Sequence, residues 1–184
     1  VVVLGAGGFF DGRGLAAALA YGADGIAMGT RFLLTAESHV PDHVASVYLG
    51  TSLTGTVVTT AIDGAPQRVI RTAMIDALEK SPGLLRFPRA AASAVSFARS
   101  SGVSLPQLAR TGLQMRKDQE LSWSQVALAA NAPMMTKASV LDGDIEVGIL
   151  PTGQVVGAIA DRPSVAELLE RIMDEADTAL ARLS

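Results

Sequence analysis

The sequence has 184 residues, of which 49% are hydrophobic, 18% are charged and none is cysteine. This composition is typical of a folded domain, and it excludes intrinsic disorder, disulfide frameworks and thiol nucleophiles. The formal net charge of −3 gives no general attraction to nucleic acid, and no apolar run approaches the roughly 20 residues of a membrane helix. We therefore expect a cytoplasmic protein without a nucleic-acid or membrane partner.

The chain opens on an apolar segment, Val-Val-Val-Leu at residues 1–4. An unbroken β-branched run of this kind is typical of parallel strands that are buried on both faces. Such a strand needs neighbouring strands, and the sequence does not begin with methionine. We therefore expect further strands upstream of Val1 in the parent protein.

A second apolar strand is predicted at residues 26–28, after a single helix. The turn Gly-Ala-Gly-Gly at residues 5–8 ends the first strand, Asp11 is a candidate N-cap of the helix, and Gly22 is a candidate C′ residue. Gly29 then interrupts the second strand. One helix between two apolar strands predicts a right-handed βαβ crossover with parallel strands.

Beyond residue 40 the pattern becomes mainly helical. A short helix at 41–49 and an extended segment at 56–61 are followed by predicted helices at 71–80, 88–99, 105–117 and 122–130. A third region begins near Pro133, with a turn at 142–144 and a glycine-rich stretch at 146–158. The predicted domains are therefore residues 1–40, 41–133 and 134–184.

The last predicted helix runs from Ser164 to about Arg182. Ser164 as N-cap and Glu167 three residues later form a capping box. Apolar residues near helical spacing are expected to be buried, namely Val165, Leu168, Leu169, Ile172, Ala176 and Leu180. Charged residues are expected to face solvent, namely Glu167, Glu170, Arg171 and Asp174.

Glycine turns end both strands of the βαβ unit, and parallel strands bring such turns to one edge of the sheet. Their backbone amides suit an anion because glycine permits close approach and the N-terminus of the following helix adds a favourable partial charge. In (β/α)8 barrels the loops after the last two strands commonly bind phosphate. The alternative is that Gly7, Gly8 and Gly29 only permit tight turns.

Three stretches carry a family resemblance. Residues 5–32, GAGGFFDGRGLAAALAYGADGIAMGTRF, resemble the last two βα units of the nitronate monooxygenase family. Residues 56–78, with DGAPQRVIRT, and 148–169, with LPTGQVVG, are also similar to members of this family. The resemblance implies an α/β fold, the C-terminal part of an FMN-dependent (β/α)8 TIM barrel, with a helical domain inserted after the last strand and a closing helix.

The resemblance also implies cofactor contacts. Two turns would hold the FMN phosphate. The residues of the first turn are Gly7 and Gly8, and those of the second are Ala27, Met28, Gly29 and Thr30. Gln154 would lie near the flavin. Phe9 departs from the isoleucine that is usual in the family, which a backbone contact should tolerate. The family's catalytic histidine would lie upstream of Val1, so the isolated chain is expected to be inactive.

Basic residues are concentrated between Gly64 and Lys117, where nine basic and two acidic side chains give a local charge of +7. Arginine forks bind phosphate well, so this segment suits a large anionic substrate such as an acyl-CoA, with Arg86 and Arg89 as candidate contacts. The alternative is a set of solvated helix faces.

Three functions follow as hypotheses. The first is an FMN-dependent oxidoreductase of the nitronate monooxygenase type, which oxidises a nitronate or related carbanionic substrate with O2. The second is an FMN-dependent reductase or dehydrogenase of acyl-CoA or other acyl thioesters, similar to the enoyl-acyl-carrier-protein reductase barrels. The third is a non-catalytic phosphate-binding or oligomerisation module.

Metal sites are not expected. His39 and His43 have the spacing of a helical metal pair, but Pro41 lies between them and no third ligand is near. The acidic residues of 142–146 alternate around a glycine, but the loop lacks the length and terminal glutamate of an EF-hand. A solvated hairpin turn is therefore predicted there.

Overall fold

The computed structural model describes residues 1–80, 110 and 131–182. The chain forms two compact units, the first made of Val1–Thr56 with Thr152–Ser184 and the second of Val57–Pro151. These divisions differ from the predicted boundaries after residues 40 and 133. A helical inserted domain at 41–133 stays a prediction, because the helices predicted at 88–99, 105–117 and 122–130 lie, apart from Arg110, outside the described residues.

The first unit opens with two short parallel strands. β1 (Leu4–Ala6) pairs with β2 (Gly25–Ala27), with Leu4 opposite Gly25 and Ala6 opposite Ala27. The parallel pairing confirms the prediction, although β1 begins three residues later than expected and β2 one residue earlier. β1 has β2 as its partner along one edge, and Leu4 remains 57% exposed. Burial on both faces was expected from further strands of the parent protein, so it stays a prediction that this chain does not test.

Helix α1 (Gly12–Ala20) connects the two strands. The side chain of Asp11 accepts a hydrogen bond from the backbone N–H of Gly14 at 2.9 Å, which confirms the predicted N-cap. Gly22 has φ +90°, and the N–H groups of Gly22 and Ala23 donate to the carbonyls of Leu19 and Ala18. This is a Schellman ending, so the predicted C′ glycine is also confirmed.

Two further helices of the first unit follow β2. They are α2 (Thr30–Leu33) and α3 (Asp42–Leu49). α3 packs on a 3-10 helix, Gln154–Ala158, and the side chains of Tyr48 and Val156 are fully buried. Segment 152–158 is thereby anchored beside the elements that follow β2.

The last helix of the chain begins with the predicted capping box. α6 (Val165–Ala181) completes the first unit, and the two described helices between α3 and α6 belong to the second unit. The Ser164 side chain accepts from the N–H of Glu167, and the Glu167 carboxylate accepts from the N–H of Ser164. These hydrogen bonds satisfy two N-terminal donors and fix where the helix starts.

α6 packs against α1 along a narrow stripe. Leu168, Ile172 and Ala176 are buried as predicted, and the four charged residues expected in solvent are exposed. The burial predicted for Leu169 and Leu180 is wrong, because these side chains are 48% and 38% exposed, and Val165 is half-buried. α1 presents small residues to α6, which allow the two helices to approach closely but over a narrow surface. Only a stripe of residues spaced i,i+4 along α6 is therefore buried in the contact.

Arg162 ties the start of α6 to the loop before α3. Its guanidinium donates to the carbonyl oxygens of Thr35, Ser38 and Val40 at 2.9 to 3.1 Å and to the carboxylate of Asp42 at 2.7 Å. One side chain therefore satisfies three loop carbonyls that no helix or sheet would bond.

The second unit contains a small sheet and two described helices. β3 (Thr56–Thr59) pairs with β4 (Gln67–Ile70), and α4 (Ala73–Lys80) and α5 (Asn131–Val140) follow. Its core is formed by Ile62, Val69, Ile75 and Ile149. Ile70 donates its N–H to the carbonyl of Leu150, which attaches the returning chain to β4.

Two predictions for the returning chain need correction. Pro133 lies inside α5, so the helical region does not end there; in the first turn of the helix a proline removes no intrahelical hydrogen bond. The turn at 142–144 is not a hairpin, because it follows the C-terminus of α5 and its N–H groups donate back to carbonyls of that helix. Among the described helices, none is long and apolar enough to cross a membrane.

Candidate functional site

The two glycine turns leave the sheet at the same edge. The parallel register ends with Ala6 opposite Ala27, so Gly7 and Gly8 follow one strand while Met28 and Gly29 follow the other. This confirms the predicted placement of the two turns. Ala27 and Met28, the other two predicted contacts, lie at the end of β2 and directly after it.

Open space surrounds the glycines of both turns. Gly7 and Gly8 have φ of +94° and +81°, a left-handed conformation that favours glycine. A Cβ atom built on Gly7, Gly8 or Gly29 would meet no heavy atom of the described residues within 4 Å. Packing within the chain therefore does not require these three glycines, and the space beside them can accept a ligand.

The N-termini of the two helices that follow the turns differ. At α1, carboxylates take two of the first amides, because Glu175 Oε2 accepts from Gly12 at 2.9 Å and Asp11 accepts from Gly14. At α2, a single turn of helix, no side chain of the described residues caps the first amides. The expectation that the helix after the first turn favours an anion therefore needs correction, since its N-terminus already faces two negative charges.

Thr30 connects the second turn to the segment that carries Gln154. The Oγ1 atom of Thr30 accepts a hydrogen bond from the N–H of Gly153 at 2.8 Å, which leaves the hydroxyl proton of Thr30 free to be donated elsewhere. Gln154 follows Gly153 directly and is exposed. The structure thus brings the residue before Gln154 to the turn, over a separation of 123 positions.

Arg31, which follows Thr30, is a buried cation that the sequence patterns did not single out. It is 2% exposed, and its Nη1 and Nη2 atoms donate to the Oδ1 and carbonyl oxygens of Asp161, both at 3.1 Å. Nη2 also donates to the carbonyl of Leu34 at 3.4 Å. Within the described residues, Nε of Arg31 is buried without a hydrogen-bond partner.

Asp161 is shared between two arginines. Arg171 donates to its Oδ2 at 2.6 Å, and this hydrogen bond lowers the pKa of the Asp161 carboxyl below its ordinary value. Burial lowers the pKa of the Arg31 guanidinium, which still stays charged at neutral pH. A signal for this network was present in the sequence, because Arg31 is a lone charge in an otherwise apolar run, but its partner could not be read from the pattern.

The remaining candidates are two arginines and two histidines. Arg86 and Arg89 lie outside the described residues, so their part in the site stays a prediction. His39 precedes α3 whereas His43 lies within it, so the two histidines do not share a continuous helix. Among the described residues, the structure places two open glycine turns at one edge, with the Thr30 hydroxyl and the buried Arg31 next in sequence to the second turn. Glycine turns of this kind are suited to a compact anion such as a phosphate group, and such a ligand at this site stays a prediction.

Comparisons with known proteins relate the chain to a family and to proteins that are named as oxidoreductases. The sequence profile described as nitronate monooxygenase matches residues 1–175. A (3aS,4S,5R,7aS)-5-hydroxy-7a-methyl-1-oxo-octahydro-1H-indene-4-carboxyl-CoA dehydrogenase from Mycobacterium tuberculosis is 52% identical over 184 residues, which cover all of this chain and 52% of that protein. The protein of the same name from Rhodococcus jostii is 46% identical over 96% of this chain and 50% of its own length.

Solved structures agree on the fold class. FabK from Thermotoga maritima has a TM-score of 0.65 at 28% identity, and the match covers all of this chain and 46% of FabK. A nitroalkane oxidase from Streptomyces ansochromogenes has a TM-score of 0.62 at 25% identity, with coverage of 100% and 42%. An α/β fold is therefore supported. The chain spans about half the length of the curated relatives and the solved structures that it matches.

Proposed function

We propose that this chain, which belongs to the nitronate monooxygenase family, supplies the phosphate-binding part of an FMN-dependent oxidoreductase that acts on an acyl-CoA thioester. In this proposal β1 and β2 are the last two strands of a (β/α)8 barrel. Oxidoreductase activity follows from the family and from relatives named as dehydrogenase and monooxygenase, which argues against a non-catalytic module. Flavin dependence is typical of the family.

The turns of the first unit fit the phosphate group of FMN. Within residues 1–80 and 131–182, Gly7, Gly8 and Gly29 border open space, and no side chain caps the first amides of α2. Thr30 would donate its hydroxyl proton to a phosphate oxygen while its oxygen keeps the Gly153 hydrogen bond. When bound, FMN supplies two-electron redox chemistry, and this part of the protein holds and orients it.

An acyl-CoA substrate is favoured over a nitronate by the relatives with the highest identity quoted above, both of which are named for a carboxyl-CoA substrate. The local charge of +7 between Gly64 and Lys117 is consistent with a substrate that carries several phosphate charges. Nitronate oxidation remains the second candidate and is supported by the family profile.

Anaerobic titration of the full-length, FMN-loaded protein tests the choice between the two substrates. Cyclohexanecarboxyl-CoA and its 2-hydroxy derivative imitate the ring, hydroxyl and thioester of the substrate for which the relatives are named. We expect one of them to bleach the flavin absorbance, and ethyl nitronate to cause little oxygen consumption in air. Rapid oxygen consumption with ethyl nitronate and no bleaching by either thioester would instead support the nitronate function.

The basic segment has its own test. We expect Arg86→Ala or Arg89→Ala to raise the KM for the acyl-CoA several-fold in a salt-sensitive manner, because each removes a charge that attracts the CoA phosphates. The KM for the matching N-acetylcysteamine thioester, which lacks those phosphates, should not change. Arg182→Ala, at the exposed end of α6, is the control for a general loss of positive charge. Equal KM values for all three variants would mean that the segment is only a solvated face.

A further inference from the structure

We infer that Arg31 is a positioning residue that draws the cofactor phosphate to the turn at Gly29 and Thr30 by its charge, without touching the phosphate. The inference rests on the function proposed above. Arg31 follows Thr30 in sequence, and the Arg31 side chain is buried, with 2% exposure to solvent. Such a charge is little screened by salt, so it acts over a longer distance than an exposed arginine would.

The guanidinium of Arg31 is anchored so that it cannot turn toward a ligand. Its Nη1 and Nη2 atoms are engaged by Asp161 and by the carbonyl of Leu34. The segment that carries Asp161 is attached to the same turn a second time, through the Gly153 N–H and the Thr30 hydroxyl. Arg31 therefore contributes to the turn through its electrostatic field and through the rigidity of these two attachments.

The charge of Arg31 is incompletely compensated. Asp161 is its ion-pair partner, and that carboxylate also accepts the shorter hydrogen bond from Arg171, at 2.6 Å against 3.1 Å. Two guanidinium groups thus share one carboxylate, and Nε of Arg31 is buried with no hydrogen-bond partner in the described part of the chain. Burying a cation in this state is costly unless an anion comes near. A phosphate group at the adjacent turn provides that anion.

A cavity offers a competing explanation for the same charge. Arg31, Asp161 and Arg171 line a space of about 330 Å³ together with Arg13 and Glu175. The cavity as a whole is neutral, because Asp11, Asp161 and Glu175 equal its arginines in number. Arg31 does not bond all three carboxylates, since Asp11 bonds Arg13 and the Gly14 N–H, and Glu175 bonds the Gly12 N–H. Arg171 is the matched control, because it lines the cavity and binds the same carboxylate but does not adjoin the turn.

The test compares the affinities of the full-length protein for FMN and for riboflavin, which lacks the phosphate group. We expect Arg31→Met to weaken FMN binding by about tenfold, the order expected for one unit charge acting across several ångströms of protein, and to leave riboflavin binding unchanged. Arg31→Lys should keep most of the preference for FMN. Arg171→Met should change the preference by less than about twofold, because its guanidinium is partly exposed and screened.

Asp161→Asn separates charge from structural support. Asparagine keeps an oxygen that can accept the Nη1 hydrogen bond but removes the negative charge beside Arg31. We expect a lower melting temperature, because two ion pairs are lost, with FMN affinity equal to or higher than that of the wild type. A purely structural role for the network would lower FMN and riboflavin affinity together.

The outcomes are distinguishable even if Arg31→Met fails to fold. Suppose that the wild-type protein prefers FMN. Loss of this preference in Arg31→Lys, or weaker FMN binding in Asp161→Asn, would then overturn the role of Arg31 but not the phosphate site. A wild-type protein that binds FMN no better than riboflavin would overturn the proposed phosphate site itself.

Discussion

Replacing Gly29 by valine is expected to remove most FMN binding while the fold remains intact. A Cβ atom at Gly29 meets nothing within 4 Å and the residue has φ −87°, which valine can adopt. The new methyl groups would instead occupy the space in which we place the phosphate. Losing about two hydrogen bonds to a charged group corresponds to roughly a hundredfold weaker binding.

The measurement is the dissociation constant for FMN by fluorescence quenching, together with the melting temperature of the apoprotein. An unchanged melting temperature shows that the substitution acts on the ligand rather than on folding. Riboflavin affinity should change far less than FMN affinity. Full FMN affinity in the Gly29→Val protein would mean that the phosphate binds elsewhere.

A second pair of variants controls for backbone strain. Gly7 and Gly22 both have positive φ, +94° and +90°, and a Cβ atom meets nothing within 4 Å at either residue. Their alanine variants therefore carry a similar conformational cost, about 1–2 kcal/mol. Gly7 lies at the edge where β1 ends, whereas Gly22 ends α1 before β2 begins. We expect Gly7→Ala to weaken FMN binding and Gly22→Ala to leave it unchanged.

Replacing Gly12 by alanine is expected to destabilise the first unit by about 2 kcal/mol. The added Cβ would lie 2.1 Å from the carbonyl oxygen of Ile172 and 2.5 Å from the backbone nitrogen of Ala176, so α1 and α6 must separate. Overpacking costs typically 1–3 kcal/mol, and backbone atoms cannot rotate away. The helix preference of alanine offsets at most about 1 kcal/mol.

Urea unfolding of the Gly12→Ala protein checks the sign of this effect. If helix propensity dominated, the variant would be more stable than the wild type; the close contact predicts the opposite. Ala17→Ser, on the exposed side of the same helix, is the control and should change the free energy of unfolding by less than about 0.5 kcal/mol. A neutral or stabilising Gly12→Ala result would contradict the close packing of α1 on α6.

The elements that sequence alone determined are those with local signals. Asp11 and Gly22 set the ends of α1, and Ser164 with Glu167 sets the start of α6, because capping joins groups only a few residues apart. The parallel pairing of β1 and β2 was also predictable, since a single helix between two apolar strands leaves few alternatives. The common edge of the two glycine turns follows directly from that pairing.

Tertiary structure decided which distant groups meet. Glu175 reaches the amide of Gly12 across 163 positions, and Asp161 reaches Arg31 across 130. Hydrophobic periodicity predicted burial of Leu169, which is exposed because α1 covers only the narrow stripe through Leu168, Ile172 and Ala176. Periodicity specifies the apolar face of a helix but not the width of the surface it packs on, and a charged residue does not encode the position of its partner. Only the packed structure determines both.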